Sequence, residues 1–332
     1  MSLIGSAIGW VMFGLGGALW ILLLARIIDG LTAGDMSVAF AYLADITAPE
    51  DRARRFGLAG AVGGVGFLVG PAIGGLLASV SLAAPLFAAA AVTLLTALLS
   101  AVALPESLDP AKRTKRLSLA DVNPLRALGE AVRRPGLGSL ILVFALAAVP
   151  LALFGGNVPV LVMDVLSWNT VEVGLLMSGV GIIDIIVQGG LLALFLRLMG
   201  ERGVLVGGLL GQAFGCGLIV AMAAFLPASW LFVTGALLFA MAQGATGAVL
   251  QGVLSQAVGD DEQGWLAGSL SAIGSAVQTV GPLLAGLLYL HVASFAPYLV
   301  AVAVLLVAAV LARRLSLAAV SANLDGVAVA AA

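Results

Sequence analysis

The chain has 332 residues, of which 62% are hydrophobic and only 10% charged, with a formal net charge of -2 and a mean hydropathy of +1.18. Water-soluble domains are near half apolar and a quarter charged, so water is excluded as the solvent for most of this surface. A single cysteine, Cys216, rules out a disulfide framework or a thiolate metal cluster, a single histidine rules out an HExxH zinc site, and nothing signals nucleic-acid binding.

A hydrocarbon core of about 30 Å needs roughly 20 helical residues. Segmenting the apolar runs on that basis predicts ten spans, near 2–17, 18–44, 55–79, 83–104, 137–160, 171–196, 203–226, 229–256, 264–290 and 295–312. The expected fold class is therefore an all-α polytopic membrane protein, with its 43 glycines allowing close helix packing. The first span is short. Residues 3–25 could instead form one helix, giving nine spans, but the break at Gly14–Gly17 suits a tight turn between two antiparallel helices.

The second span carries LLLARIIDGLTAG, which places Arg26 and Asp29 in hydrocarbon, Asp29 about 15 Å beyond the helix start. Each costs roughly 2.5–3.5 kcal/mol there, so both are expected to face the bundle interior. They serve either as a proton site or as a structural pair three residues apart on one helix face. The third span contains GGVGFLVGPAIGG, in which Gly66, Gly70 and Gly74 recur every four residues as a flat face, and Pro71 removes a backbone hydrogen bond and permits a bend.

A charged, proline-interrupted stretch then divides the chain. The expected organisation is residues 1–104 as four spans of one bundle, 105–136 as a cytoplasmic loop, 137–314 as a six-helix bundle and 315–332 as a flexible tail. In the second half Asp184 lies mid-span with Gln188 one turn later, a second polar site able to carry a proton or bind a cation. Asn157, Gln212, Gln243, Gln251, Gln256 and Gln278 are candidates either for ligand contacts or for interhelical bonds. His291 falls at the end of a span, where a solvated role is expected.

With ten spans, the basic residues of the loops (Arg52, Arg54 and Arg55; Lys112 to Arg134; Arg197 and Arg202; Arg313 and Arg314) all fall on one side, the cytoplasmic side. Sliding the chain on itself aligns 47–78 with 258–289 without gaps, placing Gly70 and Pro71 on Gly281 and Pro282. A same-orientation repeat across a central loop predicts two parallel pseudo-symmetric bundles with substrate held near the membrane midplane.

RIIDGLTAG (26–34) and GFLVGPAIGG (66–75) resemble motifs of the major facilitator superfamily, specifically of its tetracycline-type and multidrug proton antiporters. AYLADITAPEDRARRFG (41–57), LPESL (104–108), RLMGERG (197–203) and DDEQG (260–264) resemble connecting segments of the same group. The resemblance implies a major facilitator fold carrying helices three to twelve of twelve, with an N-terminal truncation. It also implies proton transfer involving Arg26, to which the residue reading adds Asp29 and Asp184 as proton-coupling candidates although the family position of Asp184 is usually not acidic, together with an antiporter-motif hinge of Gly66, Gly70, Pro71, Gly74 and Gly75 and a cytoplasmic gate of Asp45, Arg52 and Arg202. Asn157, Gln188, Gln243 and Gln278 become the expected substrate-cavity residues.

The implied activity is efflux of a small, moderately hydrophobic molecule in exchange for protons by a monomer in the bacterial inner membrane, without cofactor. Alternatives under the same resemblance are an inactive truncated transporter or a metabolite or sugar transporter of this fold. Gly9 and Gln212 stand where tetracycline antiporters have aspartates, which argues against tetracycline as the substrate.

Overall fold

The computed structural model describes residues 2–32, 38, 39, 42, 43, 46, 47, 52–106, 137–258 and 263–315. Asp45, the loop 107–136 and the tail 316–332 lie outside the described residues, as does the side chain of Arg52. Among the described residues all regular structure is helical.

The chain opens with α1 (Ser2–Leu15) and α2 (Leu19–Thr32), each of 14 residues. Between them Gly16 and Gly17 adopt φ of 64° and 100°, a left-handed conformation that costs glycine little and side-chain-bearing residues much. The turn makes the stretch two packed helices rather than one. At 1.5 Å per residue the described part of each helix is about 21 Å long. Next come α3 (Arg52–Val80), with Pro71 inside it, and α4 (Ala84–Ala103), where Ser81 Oγ accepts a hydrogen bond from Ala84 N at 3.1 Å.

The second half begins with α5 (Leu137–Leu166), which contains Pro150 and Pro159, and continues with α6 (Thr170–Ile186). Asn169 caps α6 reciprocally: its Oδ1 accepts from the amides of Val171 and Glu172, while Glu172 Oε2 accepts from the Asn169 amide. A π-turn over Val187–Leu191 joins α6 to α7 (Leu192–Ala224), and α7 is itself broken at Gly200, with φ 66° and ψ 171°. That break lies in the interval where the apolar pattern predicts a loop. The last helices are α8 (Ser229–Gln256), α9 (Gln263–His291) and α10 (Ala296–Arg314).

Seven described segments are long and apolar enough to cross a membrane, one of them the 55-residue run Thr170–Ala224 that includes the Gly200 break. The run Ala84–Ala103 has a mean hydropathy of 2.3 yet only 6% of it is buried. An apolar surface this continuous is stable only against lipid.

The chain forms two compact units, Met1–Leu117 with Asn169–Gly181, and Ser118–Trp168 with Ile182–Ala332. In the first, α1 packs on α2 and α4, and Gly75 of α3 meets Gly174 of α6 so closely that a Cβ on Gly75 would lie 2.7 Å from Thr170 O and 3.1 Å from Gly174 Cα. In the second, α7 and α8 cross where Gly215 faces Gly235, each close to the other's carbonyl. The rings of Phe154 and Phe239 stack there at 4.7 Å, and Tyr298 sits edge-on to Phe154 at 6.3 Å. Cys216 is fully buried in α7, the small helix residue expected from its apolar surroundings.

Candidate functional site

In the first unit the α1–α2 hairpin builds a polar cluster around Asp29. Arg26 Nη1 lies 3.3 Å from Asp29 Oδ2, and Ser6 of α1 donates to Asp29 Oδ1 at 2.9 Å. The Arg26 guanidinium also stands over two α1 rings, 4.4 Å from the centroid of Phe13 and 5.5 Å from that of Trp10. Ser6, Trp10 and Phe13 are spaced one turn apart along one face of α1, so a single helix face holds the carboxylate at one end and the guanidinium at the other.

These three residues were not among the sequence candidates. Ser6 offered a signal, as a hydroxyl in a helix otherwise without a hydrogen-bonding side chain near Asp29's depth; Trp10 and Phe13 read only as lipid-soluble bulk. Gly9 belongs to the same face: a Cβ there would sit 3.4 Å from Asp29 Cβ. A carboxylate at position 9 would therefore stand beside Asp29, and its absence leaves Asp29 as the acidic group of this cluster.

In the second unit Gln188 Nε2 donates to Asp184 Oδ2 at 2.8 Å, the one-turn pairing expected from their spacing. The π-turn begins just after Asp184, and such turns often mark functional sites in helices. Across from it, α8 presents Gly244: a Cβ there would lie 2.6 Å from Asp184 Oδ1. The carboxylate thus rests on the backbone of α8 because position 244 has no side chain. Gly244→Ala is expected to displace Asp184 and change the rate at which dicyclohexylcarbodiimide modifies it in membranes. Gly247→Ala, on the same helix with open space around it, is expected to leave that rate unchanged.

The remaining polar candidates divide by environment. Asn157 is buried and its Nδ2 reaches the Ala285 carbonyl of α9 at 3.4 Å, an interhelical tie. Gln212, fully buried, donates to Thr246 Oγ1 at 3.1 Å, and Thr246 donates onward to Ala242 O. Gln212 Oε1 and Gln243 Oε1 are buried acceptors without a hydrogen-bond partner among the described residues. Gln278 lines a cavity of about 610 Å³ formed by α5, α8 and α9, together with Phe144, Gln251, Ser255, Ser271 and Ser275.

Among the described residues, the close contact of the α3 glycine motif falls at its last member. A methyl group placed on Gly66, Gly70 or Gly74 would meet no described atom within 4 Å, whereas Gly75 makes the close approach to α6. In the repeat register Gly70 and Pro71 of α3 correspond to Gly281 and Pro282 of α9. In α9 the contacts fall earlier, with Gly281 against Ala152 and Pro282 against Gly156. Of the gate residues, Arg202 donates to the carbonyl of Arg313 at the end of α10, where a cation satisfies a terminal helix carbonyl. Two basic segments expected on one membrane face are thereby in direct contact.

The profile of the Major Facilitator Superfamily matches residues 1–202. The chain belongs to the major facilitator superfamily. It is 34% identical over 298 residues to the class C tetracycline resistance protein of Escherichia coli, covering 88% of this chain and 72% of that protein. Among solved structures it resembles the human organic anion transporter MFSD10 (TM-score 0.66, 22% identity, 94% of this chain and 75% of that one). It also resembles the nucleoside transporter NupG (TM-score 0.73, 14% identity, 95% of this chain and 81% of that one). At those identities the structures establish the fold. As a major facilitator protein the chain is a multi-pass membrane transporter of the drug-antiporter type and not an enzyme.

Proposed function

We propose that this transporter exports a small, moderately hydrophobic compound across the bacterial inner membrane in exchange for protons, by alternating access. The reading is carried by the Asp29 cluster, supported by the similarity to tetracycline resistance proteins. Asp29, a part-exposed acidic group on an apolar helix pair whose partner Arg26 is half-exposed, is held by one cation and one hydroxyl and has two protonation states with different partners. Protonation of Asp29 removes its charge attraction for Arg26, while the Phe13 and Trp10 rings still hold the guanidinium. The two states then favour different packings of α1 on α2, which is how a proton biases a conformational equilibrium.

Asp184, paired with a neutral amide, is the second proposed proton carrier. Ten spans in two bundles joined by the 105–136 loop, a hinge at Gly66, Gly70, Pro71, Gly74 and Gly75 that limits leak, and a gate of Asp45, Arg52 and Arg202 complete the proposal. Everted vesicles containing the 332-residue chain test it. Addition of a transported compound to energised vesicles is expected to dissipate the pH gradient, and a panel of hydrophobic drugs that leaves the gradient intact at every pH would reject proton exchange.

A further inference from the structure

We infer that the α7–α8 cavity beside the Gly200 break is a lipid site: it takes one acyl chain of an anionic phospholipid, whose phosphate is held by the arginines at the same end of the unit. Neither export nor proton coupling is needed for such binding.

The cavity has a volume of about 230 Å³, below the roughly 300–1,000 Å³ of drug-sized ligand pockets. Phe195, Met199, Leu238 and Met241 supply its apolar walls, and Gly207 and Gly211 leave the face of α7 between them bare. Met199 stands at the break and Gly211 about 16 Å further along α7 at 1.5 Å per residue, so the space runs from the end of the helix into its membrane-spanning part. A space this small and this long fits a hydrocarbon chain. Met199 lies along the bare face: a Cβ on Gly203 would be 2.8 Å from Met199 Cβ, and one on Gly207 would be 3.0 Å from Met199 Cε. Its unbranched side chain is flexible enough to swing aside for a lipid tail.

The charges at that end match a phospholipid head. Arg197 precedes the break and Arg202 follows it, both exposed. Arg202 donates to the Arg313 carbonyl, which brings the exposed Arg313 and Arg314 of α10 to the same end of the unit. The guanidinium of Arg202 carries further donors, and a guanidinium pairs with a phosphate through two parallel N–H groups. Basic pockets between spans, level with the headgroups of an anionic leaflet, are the sites where such lipids are held. Glu201 lies in the turn itself, and the connection 259–262, which carries Asp260, Asp261 and Glu262, lies outside the described residues. These acids compete with a phosphate for the same guanidinium groups, so the test removes the arginines and leaves the acids in place.

Chain-spin-labelled phosphatidylglycerol and phosphatidylcholine report the site in nanodiscs of unlabelled phosphatidylcholine containing the 332-residue protein. The wild type is expected to immobilise phosphatidylglycerol in preference to phosphatidylcholine. Arg197→Gln combined with Arg202→Gln is expected to lower that preference by about fivefold or more, the scale of one arginine at an anionic leaflet, although every other basic segment is still present. Gly207→Leu keeps all charges and fills the cavity, and is expected to lower the immobilised fraction of phosphatidylglycerol. A Cβ there meets only the mobile end of Met199, so the helices stay packed. Glycerol phosphate, a headgroup without chains, is expected not to displace the labelled lipid. Equal immobilisation of the two lipids by the wild type, an unchanged preference in the arginine variant, an unchanged fraction in Gly207→Leu, or displacement by glycerol phosphate would each overturn the lipid site.

Discussion

Asp29→Asn is expected to abolish proton-driven export while leaving the protein inserted and folded. Asparagine has the same shape, and its carbonyl oxygen can still accept from Ser6, which bonds Asp29 Oδ1 at 2.9 Å, while its amide group replaces the Oδ2 that faces Arg26 at 3.3 Å. What it lacks is a titratable proton. The Arg26 guanidinium keeps its place over Phe13 and Trp10, so α1 and α2 stay packed. Energy-independent exchange of substrate across the vesicle membrane should therefore persist when accumulation against a gradient has gone. A variant that accumulates substrate as well as wild type would show that Arg26 and Asp29 are a structural ion pair and nothing more, the alternative their three-residue spacing always allowed.

The largest stability effect is expected at the α7–α8 crossing. A Cβ on Gly215 would lie 2.7 Å from the Gly235 carbonyl oxygen and 2.9 Å from the Phe239 amide nitrogen. Both are backbone atoms of a helix and cannot rotate away, so Gly215→Ala must separate the two helices. The stacked Phe154 and Phe239 rings lie on the same surface and would lose contact with it. Overpacking of this kind costs about 1–3 kcal/mol. A thermal-unfolding or detergent-challenge series should rank Gly215→Ala well below wild type and place Gly217→Ala, with nothing within 4 Å, near it. Equal behaviour of the two variants would mean that α7 and α8 do not approach this closely.

How far the site could be read from the amino-acid order depends on whether a contact is made within one helix or across two. Arg26 with Asp29, and Asp184 with Gln188, are spaced by three and four residues, and helical geometry alone brings them together. The turn at Gly16–Gly17 was legible for the same reason, since it is a local conformation that glycine favours, whereas the interval holding the Gly200 break was legible from its interruption of the apolar pattern. Contacts across helices were not legible. In a soluble helix the apolar stripe reveals which face is buried, but α1 is apolar all round, because lipid and protein interior ask for the same residues. Apart from the Ser6 hydroxyl, nothing in SLIGSAIGWVMFGL says that Trp10 and Phe13 turn toward α2. The glycines of α3 show the same limit: regular spacing drew attention to Gly66, Gly70 and Gly74, whereas the measured close approach is at Gly75. Gly244 carried no signal at all, since its role lies in what Asp184 does with the empty space.

The shared register of α3 and α9 bears on how the two segments can change. Gly70 and Gly281 occupy equivalent places, yet a methyl group at 70 would meet no described atom, and one at 281 would lie 2.4 Å from Ala152 Cβ. The register is shared, while the described packing at equivalent positions differs. A substitution accepted at Gly70 is therefore no guide to the same change at Gly281.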